Sequence, residues 1–235
     1  IEKMIGELQR AMTDAQDAII REVTMSENNK NITLVAKLEG QVINIPEAIT
    51  DATITFPSDK LAYDVMVKGQ VVIDGTVRDV TITIPKGTSS PDGNFTLFHV
   101  TNPSVTVPSA ERAQTILFGD ATFATPVRIQ INGVAKQSVG YISNGKFYAV
   151  SAKVKEDSVS GASSVKPMGI VVDETDMIVW TKQLNELVLY TKTAVTPPPS
   201  PTPHVSINRR RWKLWRWKLC CKQWLGQPHR RRIAK

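Results

Sequence analysis

The sequence predicts an all-β fold: antiparallel sandwich architecture, one sandwich or two, behind an N-terminal helix and ahead of a disordered basic tail. Three observations lead there. Residues 30–192 are rich in Val, Ile and Thr, side chains that suit a pleated, half-buried surface. Turn signals interrupt this stretch about every 8–12 residues, the rhythm of sandwiches and barrels. At Ala194 the composition breaks: from there to the end come eleven Lys and Arg, four Trp, both Cys and no Asp or Glu. The remainder carries 18 basic against 22 acidic residues, so the net charge of +7 arises wholly in the tail.

Residues 1–25 read as a helix. Ile5, Leu8, Met12, Ala15 and Ile19 recur at 3–4 spacing with charged residues between them, a seam of two to three heptads. A lone helix of this length is marginal in water and needs a surface to pack on. Two surfaces qualify: the same helix in other copies, as in a trimeric stalk, or the chain's own β domain. Gly6 and Ala15 weaken the seam. The first residue is Ile1, which fits a processed product, a fragment or an open-ended reading frame equally.

Beyond Ser26-Glu-Asn-Asn-Lys the apolar period drops to two. Strands are predicted at 32–38, 41–45, 52–56, 62–67, 70–73 and 77–84, split by Pro46, Pro57, Asp74-Gly75 and Pro85-Lys-Gly. In the last of these, Val80, Ile82 and Ile84 face one way and Asp79, Thr81 and Thr83 the other, giving one core face and one wet face. A second β module is expected over 102–193, beside a first over 30–101. Its neighbourhood opens with strands at 94–101 and 115–118. A meander follows: 127–131, 134–142 and 146–153, joined at Asn132-Gly133 and Asn144-Gly145. Asn-Gly supplies the positive φ angles of a type I′ hairpin. Glu156–Ser164 reads as a flexible loop, and strands at 168–172, 177–182 and 184–192 complete the body. Residues 194–205 contain Pro197-Pro-Pro-Ser-Pro-Thr-Pro, which cannot join a sheet and favours a polyproline II spacer of roughly 25 Å at ~3.1 Å per residue.

Little in the body points to catalysis. Its one histidine, His99, sits in a predicted strand, where a structural role outweighs a nucleophilic triad. No second His or Cys accompanies it, so a transition-metal site is not expected. Asp173-Glu174-Thr-Asp176 offers hard oxygens for Ca²⁺ but lacks the EF-hand spacing and reads as a solvated turn. Glu156-Asp157 and Asp14 with Asp17 read as solvated faces. Gly87-Thr-Ser-Ser-Pro-Asp-Gly lacks the Lys of a phosphate loop. The expectation is a non-enzyme without cofactor or metal. Asn31-Ile-Thr and Asn94-Phe-Thr match the glycosylation pattern but lack a signal peptide to support it, and no apolar run reaches about 18 residues. The adjacent pair Cys220-Cys221 builds no disulfide framework.

In the tail, residues 206–235, cations interleave with indoles: Arg209, Arg210, Arg211, Trp212, Lys213, Trp215, Arg216, Trp217 and Lys218. Two partners suit that chemistry. Trp and cations together anchor to an anionic membrane surface at about 1 kcal/mol per cation. On single-stranded nucleic acid, bases stack on Trp while Arg neutralises phosphates, and about eight such contacts give a log K against log salt slope near −6 to −7. No single amphipathic face forms, so order is expected only on binding. An abrupt loss of acids with clustered Arg, Trp and Cys is also the mark of a shifted reading frame or a cloning scar.

The seam Ile5–Ile19, the strand-and-turn run Asp51–Val100 and the meander Val127–Lys153 together resemble bacteriophage virion proteins of the fibre, baseplate or head-decoration type. The resemblance spans residues 1–192 as architecture and not as a motif. It implies a symmetric homo-oligomer, a trimer in particular, located in the virion and contacting other virion proteins or a host surface glycan. The tail departs from that pattern. Two further readings follow from the tail. One is a capsid-type shell protein whose tail binds packaged genome. The other is a surface adhesin or carbohydrate-binding module with a membrane-active tail. An enzyme ranks last.

Overall fold

In the computed structural model, residues 2–164 and 166–193 are described, with the backbone alone for 14–21, 97 and 98. The Pro-rich spacer and the basic tail lie outside the described residues. Helix α1 runs over Glu2–Arg21 and passes directly into strand β1, Glu22–Thr24. The predicted helix is thus four residues shorter than expected at its end. Glu22-Val-Thr pairs with β3 (Val42–Ile45) instead, and Asn44 Nδ2 donates to Glu22 Oε1 at 3.0 Å.

Two seven-stranded sheets face each other across one core. Sheet I has the order β1-β3-β5-β6-β9-β13-β12, where β5 is Val65–Ile73, β6 Thr76–Ile84, β9 Thr122–Ile131, β12 Met168–Val171 and β13 Met177–Gln183. Sheet II has the order β11-β10-β14-β8-β7-β4-β2, where β2 is Asn31–Thr33, β4 Thr53–Thr55, β7 Phe95–Thr101, β8 Ala110–Gly119, β10 Ser138–Ser143, β11 Lys146–Ala149 and β14 Glu186–Lys192. The all-β sandwich is therefore present. The division at 101/102 does not separate two modules: each sheet draws strands from both segments, and residues up to Ala194 form one compact unit.

The sheets are mixed, not purely antiparallel. β1 pairs parallel with β3, β3 with β5, and β2 with β4. From β1 to β5 the chain changes sheet at every strand, so consecutive strands within one sheet run the same way. After β5, tight hairpins take over and the ladders become antiparallel. Asp74 and Gly75, with φ of 49° and 75°, close the β5–β6 hairpin, and Asn144 and Gly145, with φ of 51° and 68°, close β10–β11. The other Asn-Gly pair behaves differently. Gly133 has φ 72° but Asn132 does not join it at positive φ, and the chain leaves sheet I for sheet II there. The expected meander therefore fails at its first junction: β9 pairs with β6 and β13, and β10 pairs with β11 and β14.

Period-two alternation builds the core as expected. Val80, Ile82 and Ile84 are fully buried, and Ile82 sits across from Ile129, itself 1% exposed. Each such side chain contributes about 1.5–3 kcal/mol on burial. The predicted strands 62–67 and 70–73 form one strand, because Gly69 keeps its ladder pairing with Val80. Pro126 lies inside β9, where the β6 ladder has already ended at Arg128 and the β13 ladder shifts register, so its missing N–H breaks no bond.

Two strands are buried on both faces, since short segments cover the outsides of the sheets. On sheet II, Val188 and Tyr190 of β14 lie under Val105 and Val107, and Phe147 packs edge-on to Tyr190 at 5.4 Å. On sheet I, Trp180 of β13 lies under Val154, Val159 and Ala162. This second cover corrects the expected flexible loop at Glu156–Ser164. The segment forms helix α2, Val159–Ser163, whose N-cap Ser158 accepts from the Gly161 amide at 3.1 Å.

Candidate functional site

The N-terminal helix groups four exposed large apolar side chains, Met4, Ile5, Leu8 and Met12, within three turns. Residues 2–13 are exposed throughout. Ile5 is 51% exposed, Leu8 68% and Met12 59%, with Met4 beside them at 71%. The first three turns therefore do not lie on the chain's own β domain, which removes one of the two surfaces the seam had to choose from. The side chains of Ala15 and Ile19 lie outside the described ones. A stripe of large apolar groups on an otherwise charged helix (Glu2, Lys3, Glu7, Arg10) has no reason to stay wet, and its spacing is that of a helix-to-helix seam.

The polar chemistry of the body is spread over several small clusters. The best-built one joins α2 to sheet I. Arg128 Nε and Nη2 clamp Asp157, with Nε to Oδ1 at 3.0 Å and Nη2 to Oδ2 at 2.9 Å, and the Trp180 indole N–H donates to Asp157 Oδ1 at 2.7 Å. Burial pushes the Asp157 pKa up, but the hydrogen bonds from Arg128 and Trp180 and the Arg128 charge outweigh it, and the carboxyl titrates below its usual range. From Arg128 the network continues through Gln130 to Asp176, which also accepts from the Gly133 amide at 3.0 Å. Every strong group in this cluster is held by another, which is the signature of a strut.

The carboxylate cluster Asp173-Glu174-Thr-Asp176 is the turn it was expected to be. Asp173 Oδ1 accepts from the Asp176 amide at 2.7 Å, the Thr175 amide at 2.9 Å and the Thr175 hydroxyl at 3.0 Å. The Asp176 amide, with the two Thr175 donors, holds the Asp173 carboxyl below its usual range. Among the described residues no three His, Cys, Asp or Glu converge on a metal position. His99 lies in β7 beside Leu117 of β8, half-buried, with Nδ1 enclosed and unpartnered. Tyr141 and Tyr148 stack across β10 and β11 at 5.2 Å, and burial, with the neighbouring Tyr148, raises the Tyr141 pKa.

Two concave surfaces were not anticipated. A groove of about 520 Å³ runs over the outer face of sheet I, lined by Asn44, Lys68, Gln70, Asp79 and Thr81, with Gln70 Nε2 donating to Asp79 Oδ1 at 2.8 Å. A recess of about 400 Å³ opens between the β5–β6 turn and residues 133–137, with Arg78 in its wall. One sequence signal marks the second: Arg78 shares the parity of Val80, Ile82 and Ile84 and so interrupts a core-facing run. The tail residues Arg209, Arg210, Arg211, Trp212, Lys213, Trp215, Arg216, Trp217 and Lys218 lie outside the described residues. No described helix is long and apolar enough to cross a membrane. No protein-family model matches the chain, and no curated protein or solved structure is significantly similar to it.

Proposed function

We propose that this chain is a non-enzymatic structural protein of a virus particle, of the phage fibre, baseplate or head-decoration kind, acting in assembly or host-surface attachment as a symmetric oligomer. The carrying observation is the apolar stripe Ile5, Leu8 and Met12, left open to water by a β body that is otherwise well packed. A helix-to-helix seam among three copies buries that stripe and sets the β bodies around one axis. The body then works through surface shape and copy number. Light scattering of the full chain during size exclusion tests this. The reading expects a mass three times that of the chain, and a monomer at all concentrations contradicts it.

A second reading, a capsid-type shell protein, is favoured by one feature. Eleven cations without a single carboxylate follow a proline spacer. A genome-binding arm has this composition. Deleting 206–235 then abolishes salt-sensitive retention of single-stranded nucleic acid, and unchanged retention removes this reading.

A further inference from the structure

We propose that the open end of the sandwich is a binding site for a carboxylate-bearing sugar, read by the guanidinium of Arg78. Arg78 pairs with Val71 in the β5–β6 ladder and lies on the face that carries Val80 and Ile82, so the strand delivers a cation to the mouth of the core. Its side chain is half-buried there and makes no hydrogen bond or ion pair among the described residues, and its Nε is enclosed without a partner. The contrast with Arg128, clamped by Asp157, is direct. A cation withdrawn from water without a counter-charge is costly, and an anion arriving from solution removes that cost.

The surroundings narrow the ligand. A second orphan lies in the same wall: Gln137 donates through Nε2 to Asp74 Oδ2 at 2.9 Å, while its Oε1 is enclosed with no donor. Gly133 supports the guanidinium, since a Cβ on it would collide with Arg78 Nη1. Lys136 adds a second cation to the lining, and Asp74 and Glu174 add two carboxylates. Two cations against two carboxylates leave the lining neutral overall, which disfavours a doubly charged phosphate more than a singly charged anion held by the unpaired guanidinium. The guanidinium fork matches a planar carboxylate with two parallel hydrogen bonds. A hydroxyl next to that carboxylate supplies the donor that Gln137 Oε1 lacks. Carboxylate and vicinal hydroxyl together describe an acidic sugar, and about 400 Å³ accommodates one such ring. The choice of a sugar rests on the attachment reading above; the anion site itself does not.

The test titrates the full chain with glucuronate, glucose and inorganic phosphate, followed by calorimetry and by saturation transfer from protein to ligand. Glucuronate is expected to bind at least tenfold more tightly than glucose or phosphate. Arg78→Gln is expected to lose at least tenfold for glucuronate while keeping or raising the melting temperature. Arg78→Lys keeps the charge without the fork and is expected to lose part of the affinity, which serves if the Gln variant does not fold. Equal binding of glucuronate and glucose, a preference for phosphate, or wild-type affinity in Arg78→Gln overturns the proposal. Glucuronate binding by a chain that scatters as a monomer separates this site from the oligomer reading, which then fails alone.

Discussion

The two helices among the described residues are treated very differently by the same fold. Helix α1 is 20 residues long and leaves Ile5, Leu8 and Met12 of its seam in water. Helix α2 has only five residues, mostly small, yet its Ala162 is 2% exposed against Trp180 and its approach is fixed by the Arg128–Asp157–Trp180 clamp. Length and amphipathicity do not tie a helix down; a matched surface does. α2 has that surface in cis, on the outer face of β9 and β13. α1 has none among the described residues, and in the proposed assembly its stripe is covered by another copy.

The comparison breaks most easily at α1. Replacing Leu8 and Met12 together by Glu places like charges along the seam and is expected to abolish assembly outright. The β body should keep its far-ultraviolet circular dichroism, because neither side chain touches its core. If assembly survives, the stripe is not the interface.

At α2 the expected effects are on stability. Trp180→Ala removes the side chain that α2 covers and is expected to cost about 3–5 kcal/mol, read as a lower urea midpoint. Asp157→Ala leaves the guanidinium of Arg128 and the Trp180 N–H without their acceptor. The expected cost is about 1–2 kcal/mol, held down because Asp157 remains 35% exposed and the pair is partly screened. The same clamp sets an acid response. Because the folded Asp157 pKa lies below its ordinary value of 3.8, its contribution is complete above that value and disappears as pH falls through the folded pKa. Urea midpoints for the wild type should therefore be flat from pH 7 to pH 5 and fall below about pH 4, with a shallower fall in Asp157→Ala. The smallest effect returns to α1: Gly6→Ala, in open space, should stabilise the helix by about 1 kcal/mol and raise the oligomer's melting temperature slightly.

Much of the body was legible because local signals and long-range pairing agree there. The alternation of Val80, Ile82 and Ile84 held, as did the Asn144-Gly145 hairpin. Asn132-Gly133 misled because a dipeptide supplies backbone angles but not a partner strand, and here the partners of β9 are β6 and β13. The parallel pairs were invisible for a similar reason. Sheet membership of β1 to β5 depends on which short strand finds which neighbour, and no residue pattern marks it. Helix α2 was hidden by Ser158-Val-Ser-Gly-Ala-Ser, a loop-like composition that becomes helical only against Trp180. Arg78 was readable in hindsight of parity alone: a charged residue on the core face of a strand marks either an ion pair or a mouth.

Hydrogen exchange at the backbone amides of residues 5–12 in the full chain, followed over a dilution series, tests the self-association of α1 most directly. Strong protection at high concentration that falls away on dilution, while strands β6 and β9 stay protected throughout, is the predicted result. Exchange at the rate of an unprotected helix at every concentration would contradict it.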